Sequence, residues 1–98
     1  METTQGFETP LLLMKAVVDK MTPRFDSHEF ILKLIWECPE IYGELLIKHR
    51  NVTTAHGEIS NYLRYHASEL GIKELYEKAE SEDLFRIIRS CAQWEKTI

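Results

Sequence analysis

His28, His49, His56 and His66, with Cys38 and Cys91, are the side chains of this 98-residue chain best suited to metal or nucleophilic chemistry. A helix-borne zinc site needs a pair of ligands one turn apart, and no two of the histidines stand at i, i+3 or i, i+4. None is joined to either cysteine by a ligand spacing, so a metal centre would have to be assembled wholly by tertiary contacts. No metal or cofactor is therefore expected.

Nucleophilic catalysis asks for a Ser or Cys held against a base, with a third group orienting that base. Ser27 and His28 are neighbours at a helix start, which points their side chains apart. Cys91 reads as a small buried hydrophobe and Cys38 as a helix end before proline. Gly43, Gly57 and Gly71 lie separately, so no glycine-rich loop cradles a phosphate, and no paired carboxylates appear. The expectation is a protein that is not an enzyme.

The other chemistry is recognition. In "TTAHGEISNYLRYHASELG", Thr53–Gly71, the face opposite the apolar stripe carries Ser60, Asn61 and Arg64. Asn and Arg make bidentate contacts with adenine and guanine edges, while Lys48, Arg50 and Arg64 suit phosphate. From Lys48 to His66 three basic residues face only Glu58, a local inversion within a chain of net charge −4. Glu58, beside the reading face, opposes phosphate. A solvated polar face explains the same residues more simply, and DNA reading by a helix-turn-helix is the second interpretation.

The first is protein binding. Trp36, Tyr42, Tyr62, Tyr65, Tyr76 and Trp94 are many large aromatics for a small domain. Those the core does not cover, with Trp36, Tyr65 and Trp94 the named candidates, would bind a partner protein or a second copy of the chain.

The elements that position these residues read as helices. Thr9-Pro10 starts helix 1, which runs to about Met21 with residues 1–8 as a frayed end. In "FDSHEFILKLIWECP", Asp26 or Ser27 caps helix 2, Ser27 to Cys38, and Phe25 and Phe30 form a hydrophobic staple across its start. Pro39 opens a third helix at a sharp corner. Ala55, Ile59, Tyr62, Leu63, His66, Ala67 and Leu70 give the cleanest stripe, a fourth helix from about Thr54 to Leu70, with Gly71 as its left-handed stop.

Residues 72–80 fit helix or strand. Ser81, Glu82 and Asp83 read as the cap of a last helix with the stripe Leu84, Ile87, Ile88, Cys91 and Trp94. The sum is a single all-α domain spanning 1–98, a bundle of five to six helices with one short extended segment admitted near 72–80. The apolar run Leu11–Val18 is too short to span a bilayer, and two cysteines in no paired motif suit reduced thiols in the cytoplasm. The segments "FDSHEFI", "AHGEISNYL" and "CAQWEK" stand out as local anchors without naming a function.

Overall fold

The computed structural model describes residues 2–83 and 85–97. Five helices and five strands are formed: α1 (Glu2–Asp19), β1 (Arg24–Asp26), α2 (Ser27–Glu37), α3 (Pro39–His49), α4 (Val52–Tyr65), α5 (Ala67–Leu70), β2 (Ile72–Glu74), β3 (Ala79–Glu82), β4 (Ile88–Cys91) and β5 (Gln93–Lys96). The fold is thus mixed, with two antiparallel sheets, and the all-α expectation is overturned from Arg24 to Asp26 and beyond Gly71.

Helix starts and stops follow local chemistry. Asp26 accepts the Glu29 amide at 2.8 Å while Glu29 Oε1 accepts the Asp26 amide at 2.9 Å, a complete capping box. The Phe25 and Phe30 rings lie 6.2 Å apart across it, as a hydrophobic staple requires. Cys38, at φ −139 and ψ 66, turns the chain out of α2, and Pro39 opens α3. Arg50 in the left-handed region and Asn51, whose side chain accepts the Thr54 amide, make the short turn into α4. α1 begins ahead of Pro10, and its C-terminal carbonyls are met by Lys96 from β5, whose Nζ donates to Met21 at 2.7 Å.

The expected fourth helix breaks at His66, whose ring stacks 4.4 Å from that of Tyr62; four residues of α5 then lead to Gly71 at φ 72. Beyond it the chain is extended. The three-stranded sheet has the order β1-β5-β2, with Phe25 opposite Trp94 and Glu74 opposite Trp94 on its other side. β3 and β4 pair with Ala79 opposite Cys91 and Glu82 opposite Ile88. β2 runs on into β3 and β4 into β5, so these strands are one long hairpin. Its kink comes from four residues, Leu75 to Lys78, facing only Ala92 and Gln93 on the return arm.

The expected last helix, Ser81 to Trp94, is the outer half of that hairpin. Asp83 does bind backbone amides, but those of a tight turn: its Oδ1 accepts from Phe85 at 2.8 Å and Ile87 at 3.0 Å. Arg86, at φ 64, supplies the left-handed residue that reverses the chain. A capping carboxylate and a turn carboxylate use the same lone pairs, which is why the sequence reads either way. Leu84, counted in the helical stripe, lies outside the described residues. Ala92 and Trp94, two apart, are the residues that face the core.

That core joins Val17 and Val18 of α1, Phe30, Ile31 and Leu34 of α2, Ile59 and Leu63 of α4, Leu70, Ile72 and Trp94. At its polar heart, Ser27 Oγ accepts from Trp94 Nε1 at 3.0 Å and from Ser60 Oγ at 2.9 Å. Ser27→Ala leaves a buried indole donor without a partner and is expected to cost about 1–3 kcal/mol. Trp94→Ala, which empties the largest buried side chain, is expected to cost about 3–5 kcal/mol. Urea denaturation of each variant gives both numbers, and a Ser27→Ala protein as stable as the wild type would show that the hydroxyl is dispensable.

Candidate functional site

The three anchor segments meet at one place. The start of α2, the middle of α4 and the junction of β4 with β5 enclose a cleft of about 260 Å³ lined by Ser27, His28, His56, Gly57, Ser60 and Cys91, with Lys78, Asp83, Phe85 and Arg89 of the hairpin opposite. The Ser27–Ser60–Trp94 hydrogen bonds form its floor. Ser60 is therefore turned inward and does not share the outward face assigned to it with Asn61 and Arg64.

Arg64 is exposed but engaged. Its Nε and Nη2 meet the two Glu74 oxygens at 2.8 and 3.0 Å, and its Nη1 donates to Asn61 Oδ1 at 2.9 Å. This fork ties α4 to β2 and holds the Glu74 carboxyl below its usual range, the hydrogen bond from Arg64 being the main cause. Lys48 and Arg50 sit exposed at the end of α3, and Arg86 at the hairpin tip; among the described residues none of the three is in an ion pair. Arg89 pairs with Asp83 at 3.1 Å. Of the aromatic candidates, Trp36 is 78% and Tyr65 89% exposed, while Trp94 is fully buried and offers no surface.

The exposed side of the first half of α4 is bare. Thr53, Thr54, Gly57 and the exposed Glu58 present it, with Asn61 one turn further on, and a Cβ built on Gly57 would meet no atom within 4 Å. A mid-helix glycine costs about 1 kcal/mol relative to alanine. Among the described residues no neighbouring element closes on the helix at Gly57, as none does at Gly43 in α3.

Two histidines face the cleft, each with one partner. His28 Nδ1 and Ser81 Oγ are 2.8 Å apart, and His56 Nε2 and Tyr42 Oη 2.7 Å. His28, Asp26 and Cys91 also bring a nitrogen, an oxygen and a sulfur within 4.8 Å of one another, the one such group of three found among the described residues. Sequence spacing gave no sign of it, because the ligands come from β1, α2 and β4. The Asp26 carboxylate accepts from the Glu29 amide and, among the described residues, from no side chain, so the Ser81–His28 contact lacks the oriented third member that a nucleophile–base pair needs.

His56 is held below its usual pKa, first by burial and then by the proximity of His28, with Asp83 acting the other way. Its folded pKa lies beneath the unfolded value of about 6.5, so the unfolded chain takes up the proton first as pH falls. The His56 contribution to stability is complete above pH of about 7 and declines through the unfolded pKa toward the folded one. Urea midpoints at pH 7.5 and 5.5 should fall less in His56→Gln than in wild type, and an equal fall in both would remove His56 as the cause.

No family model, no curated protein and no solved structure matches this chain.

Proposed function

We propose that this chain binds duplex nucleic acid, with the first half of α4 in the major groove and the β3–β4 hairpin against the flanking backbone. The observation that carries the reading is the bare face of α4 at Gly57, with the hairpin standing beside it. The element order supports it too: a helix, a short strand, four further helices with a tight turn before α4, and a long hairpin whose return arm pairs with that first strand. The α3–α4 pair has the helix-turn-helix order, with the hairpin beside its second helix.

Thr53, Thr54, Gly57 and Asn61 replace Ser60 as the base-facing set, and Arg64 lies at the rim. Lys48, Arg50 and Arg86, spread over the turn and the hairpin tip, supply phosphate contacts. Glu58 and the acidic whole chain keep the attraction modest, so binding leans on three cations and a slope of log K against log salt of about −3 follows. Cys38 and Cys91 are free thiols, which supports a cytoplasmic location for this reading. No helix of the described residues is long and apolar enough to cross a membrane.

A second reading, binding of a partner protein or a second copy, is favoured by Leu32 and Trp36, which lie one turn apart on α2 with 49% and 78% of their surface exposed. That face is remote from the bare side of α4, and Trp36→Ala separates the two.

Fluorescence anisotropy with a labelled mixed-sequence duplex is the test. Arg50→Ala should weaken binding at every sequence and reduce the salt slope by about one. Gly57→Ala should raise stability by about 0.5–1 kcal/mol while weakening the complex, since the added methyl suits the helix and obstructs the groove. Absence of binding at 50 mM salt, with a Trp36-dependent dimer in light scattering, would transfer the function to the α2 face.

A further inference from the structure

The geometry points to a divalent transition-metal site of the zinc class at the base of the hairpin, formed by Asp26, His28 and Cys91. The three ligand atoms lie within 4.8 Å of one another and come from three separate elements. Asp26 is 7% exposed, and His28 and Cys91 are half-buried, so the group is shielded yet opens onto the cleft. A carboxylate oxygen, an imidazole nitrogen and a thiolate sulfur form a borderline-soft set that selects zinc over magnesium or calcium. Three protein ligands leave a fourth position for water facing the cleft.

The surroundings suit this use. Ser81 Oγ stands 2.8 Å from His28 Nδ1 and 3.8 Å from Cys91 Sγ, so one hydroxyl orients both softer ligands, as outer hydrogen bonds commonly do around metals. Asp26 gives one oxygen to the Glu29 amide, and a carboxylate has lone pairs enough for a metal as well. The start of α2 is the positive end of a helix and opposes a cation, but a carboxylate and a thiolate together outweigh that half charge. On binding, the Sγ–H proton of Cys91 leaves to solvent as the sulfur–metal bond forms.

Ligands on bonds of about 2.0–2.3 Å in a tetrahedron stand about 3.3–3.7 Å apart, so a bound metal holds the three groups within that span. The metal thereby pins the outer hairpin, which hangs on the kink at Leu75–Lys78, to the first turn of α2. This inference is independent of the nucleic-acid reading, since it concerns what fixes the hairpin and not what the hairpin touches.

Cobalt(II) titration of the untagged, reduced chain reads the site directly. One equivalent should give a sulfur-to-metal charge-transfer band with the visible absorption of a tetrahedral centre, and zinc(II) should displace it. Cys91→Ser should abolish the charge-transfer band, His28→Gln should weaken binding at least tenfold, and Cys38→Ser should change neither. Zinc should also raise the thermal midpoint of wild type and not of His28→Gln. A band that is absent, that survives Cys91→Ser, or that is lost in Cys38→Ser would overturn the assignment.

Discussion

The indole nitrogen of Trp94 has to find an acceptor inside the core, and the rest of the architecture is arranged around the one it finds. Trp94 is fully buried on the central strand of the sheet, and Ser27 Oγ takes its proton at the first residue of α2. The same oxygen takes the Ser60 hydroxyl from the middle of α4, while the Ser27 amide donates to Ala92 at 2.9 Å. One small side chain thus sets the distance between β5, α2 and α4. An apolar residue in its place would leave two donors facing a low-dielectric interior, where an unmade hydrogen bond costs more than a made one contributes.

That constraint also fixes the cleft. With β5 held against Ser27, the return arm of the hairpin must leave the sheet at Ala92, directly beside His28 and Cys91, and the outer arm must bulge at Leu75–Lys78 to follow it. The hairpin is tied down at its base by Arg64–Glu74 and closed at its tip by Asp83, whose carboxyl lies below its ordinary range chiefly because the Ile87 and Phe85 amides donate to it. Between those ties its polar links to α2, among the described residues, are the Ser27 amide to the Ala92 oxygen and the Ser81–His28 contact.

How much of this the sequence displays depends on the period that burial imposes. Helix stripes were legible because α2 and α4 each bury a full face: Phe30, Ile31 and Leu34, then Ala55, Ile59 and Leu63. The strands were not, because three or four residues hold too few alternations to distinguish period two from 3.6, and β4 buries none of its residues. Asp83 and the Ile87-Ile88 pair fitted a helix start and stripe as well as a turn and a strand, and the reversal falls on Arg86 rather than on a glycine that would have marked it. Trp94 sat on the helical stripe for the wrong reason: it is buried, but as the partner of Phe25 across a sheet. The Asp26–His28–Cys91 group was invisible, since its closure depends on a strand pairing no spacing rule reports.

The exposed cations of the site divide into those already committed and those free, and this division, rather than net charge, decides what the surface can do. Arg64 gives its fork to Glu74 and Arg89 its charge to Asp83, so an anion reaching either must displace a carboxylate whose protonation is disfavoured. Lys48, Arg50 and Arg86 have no ion-pair partner among the described residues, and they lie at the turn before α4 and at the hairpin tip. In the proposed nucleic-acid reading, a polyanion that touches both passes the exposed side of α4. That face holds two threonines, an asparagine tied to Arg64 and a glycine with open space above it, and the exposed Glu58 beside them is the one carboxylate of the stretch that an approaching phosphate must avoid.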